Sequence, residues 1–348
     1  VHGYQSELDT SERAWTGGIY DEGRRGWLYP LTMNKNGSGA FRNGYWNKVR
    51  VEAIGNTIKT FINGIQCSNL VDDMTSEGFI ALQVHSIKGK ELEGKTIKWK
   101  NIRIITENLE SQKTPNMPYA RQISYLKNTL TDEEKRKGWT LLWDGKTSKG
   151  WKAAKKNDFP NQIISIEDGT IHFPEHKMKR DPNTAGDIVT LKKFSDFELE
   201  VDFLLQEGGN SGVKYFVDAL EKGDGRGIGL EFQVLDKKHA DHSQGVGGNR
   251  TIGSLYDLIA AENLSEKNRD NIRANSSGSW NRARIFVKGG HVEHWINNIK
   301  VVEYDRFSQT FKNLIQKSKY ADHQGFGVGM SGRILLQDHG PGDVKFKN

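Results

Sequence analysis

GYWNKVRVEAIGNTIKTFINGI, residues 44–65, and GSWNRARIFVKGGHVEHWINNI, residues 278–299, align without a gap. Gly44/Gly278, Trp46/Trp280, Asn47/Asn281, Arg50/Arg284, Gly55/Gly289, Ile62/Ile296 and Asn63/Asn297 coincide. Within the first stretch the apolar period is two: Val49, Val51 and Ala53 alternate with Lys48, Arg50 and Glu52. A Gly-Asn or Gly-Gly turn follows, then a second run that ends on "ING" or "INN". Strand side chains point to alternate faces, and such turns join antiparallel neighbours, so each stretch predicts a hairpin.

Further matches keep the same order. GFIALQVHS (78–86) echoes GRILLQDHG (332–340), and IKWKN (97–101) echoes VKFKN (344–348). Upstream, GGIYD (17–21) pairs with GSLYD (253–257), and GYQSELD (3–9) with GLEFQVLD (229–236), one residue gained or lost. Six segments in one order predict two copies of one domain. DFELEVDFLLQ (196–206) places Phe197, Leu199, Val201 and Phe203 inward and Glu198, Glu200 and Asp202 outward. The predicted fold class is all-β, built of antiparallel sandwiches.

One segment departs from this pattern. In LTDEEKRKG (130–138), Thr131 is an N-cap with Glu134 three residues on and acids in the first turn, which predicts a short helix. NLESQKTPNMPYA (108–120), with two prolines, reads as a linker. The expected organisation is a first copy over 1–107, a linker with a short helix over 108–138, and a second copy over 139–348. The copies are unequal. The second spends about 90 residues before GLEFQVLD, whereas the first has two before its equivalent. Half a sandwich exposes apolar faces and open edges. The expectation is that the N-terminal half of the first copy is missing from this stretch of sequence. The last strand of the second is expected to be clipped, since the first continues IRIIT after IKWKN.

Composition bounds the function classes. The 348 residues suit about two domains, and Gly 38 against Pro 7 suits many tight turns. The net charge is +6, but 50 bases are mixed with 44 acids and form no long block, so a nucleic-acid partner is not expected. No run of about 18 apolar residues is present, so no transmembrane segment is predicted. No signal peptide is visible, but the chain starts at Val1, and this does not place it in the cytoplasm. Cys67 is the only cysteine, which excludes a disulfide within the chain and a cysteine-based metal site.

GWTLLWDGKTSKGW (138–151), DFELEVDF (196–203), GGNSGVKYF (208–216), EFQVLD (231–236), GSLYDL (253–258), GSWN (278–281) and LLQDHG (335–340) follow one another over more than 200 residues. Together they resemble the 3-keto-disaccharide hydrolase domain family, formerly a domain of unknown function. The resemblance covers 130–348 and takes in 1–107 as the back half of another copy. It implies two concanavalin-like antiparallel β-sandwich (jelly-roll) domains joined by the short helical linker. It also implies a secreted or periplasmic location and an oligosaccharide or glycoside substrate. The implied activity is cleavage of glycosides oxidised to a ketone at C3.

Residues two apart on a strand share a face. Gln337 and His339 therefore point together and Asp338 points away; Gln83 and His85 repeat the pair, with Val84 between them. Glu231 and Gln233 share a face, as do Gln5 and Glu7, with carboxylate and amide exchanged. After the glycines of GGNSG, Asn210 is placed to bond a hydroxyl where a sugar can approach the backbone. Ser211 lacks the G-x-S-x-G context of an acyl-type nucleophile. Tyr256 and Tyr20 recur after glycine turns, and Arg24 stands in the loop beyond Tyr20. The loop DKKHADHSQGVGGNR (236–250) holds His239, Asp241 and His242, which leaves a divalent metal open. No metalloprotease, P-loop or dinucleotide motif is present, so no cofactor is assigned.

A ketone at C3 acidifies the hydrogen at C2, so a base, an oxyanion donor and an acid are needed. Glu231 or His339 is the candidate base, and Tyr256 the acid or oxyanion donor. Asn210, Gln233 and Gln337 are candidates for positioning the sugar. In the first copy Gln5, Glu7, Tyr20, Gln83, His85 and Arg24 are the candidate sugar-binding set. Two alternatives stand beside this reading. One is a tandem carbohydrate-binding module without chemistry. The other is a conventional glycoside hydrolase, which needs two carboxylates where each shared face offers one. The sequence leaves open which copy is active and the oligomeric state.

Overall fold

Most of the alternating runs become strands in a computed structural model, which describes residues 2–84, 94–175, 186–220, 227–262, 275–340 and 342–348. In the N-terminal region the strands are β1 (Gly3–Ser6), β2 (Ile19–Glu22), β3 (Gly26–Tyr29), β4 (Val49–Ile54), β5 (Thr57–Ile62), β6 (Ile65–Val71) and β7 (Ile123–Ser124). They form a three-stranded sheet, β1-β2-β3, and a four-stranded sheet, β4-β5-β6-β7. The C-terminal strands begin with β8 (Trp151–Ala153), β9 (Ser165–Glu167), β10 (Thr170–Phe173), β11 (Ile188–Thr190), β12 (Phe197–Leu205) and β13 (Asn210–Leu220). They continue with β14 (Gly227–Leu235), β15 (Trp280–Lys288), β16 (His291–Ile296), β17 (Ile299–Asp305), β18 (Arg333–Leu336) and β19 (Val344–Lys347). These make a sandwich of a seven-stranded sheet, β17-β16-β15-β12-β19-β10-β9, on a five-stranded one, β14-β13-β18-β11-β8. Val201, Phe203 and Ile285 from one sheet meet Tyr215, Phe232 and Leu336 from the other in the core.

The matched stretches fold alike. Val49 faces Ile62 across β4–β5, and Ala283 faces Ile296 across β15–β16. Each meander carries a register irregularity at the matching place, Thr60/Phe61 and His294/Trp295. The shared asparagines explain themselves. Asn63 and Asn297 take the left-handed conformation, at φ 51° and 48°, which a short polar side chain tolerates. The Oδ1 atoms of Asn63 and Asn297 accept from the backbone N–H of Lys48 and Arg282, at 2.9 Å in both places. Their Nδ2 atoms donate to Asn47 Oδ1 at 2.8 Å and to Asn281 Oδ1 at 2.9 Å.

Two echoes do not fold alike. Residues 78–84 and 97–101 form no strand, although their matches belong to β18 and β19. The reason lies in the neighbours. β18 is held between β13 and β11, and β19 between β12 and β10. Nothing among the described residues of the N-terminal region corresponds to these four. Phe79, Ile80 and Leu82 are exposed as a result. Val51 is 51% exposed, whereas its match Ile285 is fully buried. His85 lies outside the described residues.

The predicted helix forms as α2, the second of four α-helices among the described residues: α1 (Lys35–Ser38), α2 (Asp132–Arg136), α3 (Asp241–Gln244) and α4 (Gln309–Gln316). Thr131 accepts from the Glu134 N–H at 3.2 Å and donates its own N–H to Glu134 Oε2 at 2.7 Å, a complete capping box. In the stretch before it, residues 108–119 are exposed or half-buried and Ala120 is buried. Ala120 and Ile123 enter the N-terminal core, as does Ile299 from β17. Arg121 reaches Glu198 at 2.6 Å and Glu200 at 2.7 Å, and Arg282 donates to Ser124 O at 2.6 Å.

Candidate functional site

The five-stranded sheet has a core face and an outer face, and alternation assigns each side chain. Val213 and Tyr215 of β13, Leu230, Phe232 and Val234 of β14, and Ile334 and Leu336 of β18 face the core. Asn210, Gly212 and Lys214, then Glu231 and Gln233, then Gln337 beyond β18, therefore share the outer face. Gly212 lies opposite Gln233, and Gln337 N–H donates to Gly212 O at 2.9 Å, so the three stand in one row across the sheet. Lys214 pairs with Glu231 in the next row. Although this face is not the core, Asn210, Lys214, Glu231, Gln233 and Gln337 are each at most 5% exposed. Buried polar groups on this scale need partners or a ligand.

Glu231 sits at the centre. Gly212 has no side chain, and the Glu231 carboxylate occupies the space: a Cβ at 212 would stand 2.2 Å from Oε1. Oε2 lies 3.6 Å from Lys214 Nζ. Burial pushes the Glu231 carboxyl above its ordinary range; Lys214 and Lys319 pull it down, and Asp187 adds to the rise. Gln233 Nε2 donates to Asn210 Oδ1 at 3.1 Å, and Asn210 Nδ2 lies 3.2 Å from His339 Nδ1. The carbonyl oxygens of Gln233 and Gln337 are buried without a hydrogen-bond partner among the described residues. Each such orphan costs about 1–3 kcal/mol, and a bound donor removes that cost.

Tyr256 is brought to this face by its backbone, since its N–H donates to Glu231 O at 3.0 Å. Its hydroxyl is committed elsewhere, donating to Asp241 Oδ2 at 2.8 Å. Burial and Asp241 push that hydroxyl far above its ordinary pKa. Arg250 holds Asp241 at 2.7 Å and Asp257 at 2.8 Å. His239 Nδ1 accepts from the Asp241 N–H at 3.1 Å, so this loop spends its polar atoms on its own shape. On the other sheet His291, Glu293 and Glu303 bring ligand atoms within 4.8 Å of one another. Lys300 already pairs with that group, at 3.3 Å from Glu293, and Trp295 Nε1 donates to Glu293 at 2.8 Å.

In the N-terminal region, Gln5 Nε2 donates to Glu7 Oε2 at 2.9 Å and to Gln83 Oε1 at 3.1 Å, so three of the named residues meet there. Tyr20 packs edge-on to Trp27 at 5.2 Å. Arg24 is tied to Asp21 at 2.6 Å and to Thr75 at 2.7 Å, away from that trio. The structure thus gathers Asn210, Glu231, Gln233, Gln337 and His339, with the Tyr256 backbone alongside. It adds Lys214 and Gly212, which the sequence reading passed over. The signal was present, because both lie on the same period-two face as Asn210.

The sequence profile of the 3-keto-alpha-glucoside-1,2-lyase-like domain matches residues 1–105 and 138–348. A 3-keto-disaccharide hydrolase of Bacteroides thetaiotaomicron is 33% identical over 232 residues, which is 61% of this chain and 77% of that one. Among solved structures, a Parabacteroides distasonis ATCC 8503 protein assigned as a glycosyl hydrolase superposes with a TM-score of 0.54 at 29% identity. That match covers 64% of this chain and 96% of the other. No helix among the described residues is long and apolar enough to cross a membrane.

Proposed function

We propose, from the premise that this chain belongs to the 3-keto-alpha-glucoside-1,2-lyase-like family, that its C-terminal sandwich cleaves glycosides carrying a ketone at C3. The observation that carries the reading is the Glu231 carboxylate, buried over Gly212 on a face that also holds two unpartnered amide oxygens. Glu231 is the base that takes the proton from C2, and its raised pKa makes it a stronger one. The C1–oxygen bond then breaks, and His339 protonates the departing oxygen. Water adding to the product gives net hydrolysis. The Gln233 and Gln337 oxygens accept from sugar hydroxyls, and Asn210 holds His339. A positioned base or acid contributes about 10²–10⁴-fold.

The test is monosaccharide release from a 3-keto-disaccharide, with the unoxidised disaccharide as control. Glu231→Gln and His339→Ala are expected to lower turnover by about 10²-fold or more while the fold melts as before. Wild-type turnover in both variants refutes the assignment. Binding of both sugars with no product supports a binding module instead. For the N-terminal region a binding role is the better reading, since Gln5, Glu7 and Gln83 meet there and no strand equivalent to β13 stands beside β1 among the described residues.

A further inference from the structure

Lys214 has no role in the reaction as drawn so far, yet its surroundings are unusual for a lysine. It is 4% exposed on the outer face of β13. An ammonium carries three N–H donors and no acceptor. One donates to Gly227 O at 3.1 Å. Its carboxylate neighbour, Glu231 Oε2, lies at 3.6 Å, close enough to attract but too far to hydrogen-bond. Two donors of a buried cation are thus left without a bonded acceptor among the described residues.

The rest of the face offers the opposite polarity. Gln233 Oε1, Gln337 Oε1 and the Glu231 carboxylate are acceptors. Three neighbouring donors are engaged: Gln233 Nε2 with Asn210, Asn210 Nδ2 beside His339, and the Tyr256 hydroxyl with Asp241. Lys319 Nζ lies over the Tyr256 ring at 4.4 Å and the Tyr320 ring at 5.1 Å. A sugar hydroxyl can be held by the acceptors, but a ketone oxygen can only accept. Lys214 is the group on this face built to meet it.

Resting on the cleavage reading above, we infer that Lys214 is a catalytic residue that holds the ketone oxygen at C3 and carries the negative charge that develops there. The steps balance. The C2–H bond breaks, its proton goes to Glu231, and its electron pair forms C2=C3 while the carbonyl π pair moves to the C3 oxygen. On collapse the carbonyl re-forms, the C2=C3 pair becomes C1=C2, and the C1–oxygen pair leaves with the departing group. Lys214 transfers no proton. As Glu231 is neutralised, the charge that faced the ammonium reappears on the C3 oxygen. One fixed cation therefore serves both states without reorganisation, the condition under which such groups are most effective.

The charged groups that face Glu231 are Lys214 on its neighbouring strand, Lys319 after α4 and Asp187 before β11, with Tyr256 beside them. Removing Lys214 deletes a cation that holds the Glu231 carboxyl down. The experiment uses the full chain, Lys214→Met and, should that variant fail to fold, Lys214→Gln. The expected result is a kcat on a 3-keto-disaccharide lower by about 10²–10³-fold, the effect of removing an oxyanion donor, with KM changed only a few-fold. The acidic limb of the pH–rate profile moves to higher pH. Carbon NMR of the chain carrying labelled glutamate follows Glu231 without substrate and is expected to show the same upward move. Wild-type kcat with an unmoved acidic limb overturns the role of Lys214. A wild-type chain inert toward every 3-keto-disaccharide removes the cleavage reading itself. In that case, identical Glu231 titrations in wild type and variant also overturn the Lys214–Glu231 coupling.

Discussion

Gly212→Ala isolates the position of the base from its chemistry. Gly212 is absent from the positive-φ residues, so alanine fits the backbone, and the conflict is with the side chain above it. The new Cβ would stand 2.2 Å from Glu231 Oε1, 2.9 Å from Cδ and 3.0 Å from Cγ. Ordinary contact needs about 3.5 Å, so the carboxylate retreats by roughly 1 Å. A misplacement of that size costs about 10²-fold, or about 2.7 kcal/mol of barrier. Stability moves less. Alanine restricts the unfolded chain, worth about 0.4–1 kcal/mol, against an overpacking cost of about 1–3 kcal/mol. The expected variant is folded, slightly less stable, and slow, with KM near the wild-type value. Steady-state kinetics on a 3-keto-disaccharide, with a thermal melt on the same sample, read both quantities. A kcat within threefold of wild type in a folded variant would falsify the placement of Glu231 as the base. A raised KM with unchanged kcat would make Glu231 a binding group.

Two further outcomes follow from burial. Ile285→Ala is expected to cost about 2–5 kcal/mol in urea unfolding, because Ile285 is fully buried; Val51→Ala, at the matching place but 51% exposed, is expected to stay within about 0.5 kcal/mol. Equal costs would show that the face of β4 is covered. His294 is buried, with Nδ1 donating to Gly253 O at 3.1 Å and Nε2 accepting from Tyr215 OH at 2.9 Å. Burial lowers its pKa from 6.5 to about 4, so the unfolded chain binds this proton first and stability falls as pH drops through that window. At about 1.36 kcal/mol per unit the loss is about 3 kcal/mol. Urea midpoints at pH 7 and pH 4.5 measure it, and a His294→Gln variant with the same pH slope would rule the histidine out.

Much of this was legible because period two is a geometric rule. It put Glu231 with Gln233 and Gln337 with His339, and the five-stranded sheet keeps both pairs on one face. It also contained Lys214, four residues after Asn210 on the same face. Other features had no local signal. The Tyr256 hydroxyl is taken by Asp241, fifteen residues away along an irregular loop. A tyrosine after a glycine turn looks the same in sequence whether its hydroxyl is free or spent. The strand-like 78–84 shows a different limit. Its likeness to β18 is a likeness of side chains, but a strand also needs neighbours for its backbone groups.

The matched stretches separate what the fold requires from what the chemistry requires. Asn47, Asn63, Asn281 and Asn297 do the same work in both places, because each meander must close the same left-handed turn. The polar face is different. Gln5 and Glu7 stand where the C-terminal sandwich has Glu231 and Gln233, with carboxylate and amide exchanged. In the sandwich the carboxylate lies over the bare backbone of Gly212 and against Lys214, both on β13. In the N-terminal region Glu7 instead accepts from Gln5, and no strand equivalent to β13 stands beside β1 among the described residues. Among the described residues, no glycine on a neighbouring strand clears space over Glu7 as Gly212 does over Glu231. Glu231→Gln in the sandwich removes the base and exchanges one acceptor oxygen for an NH2 donor.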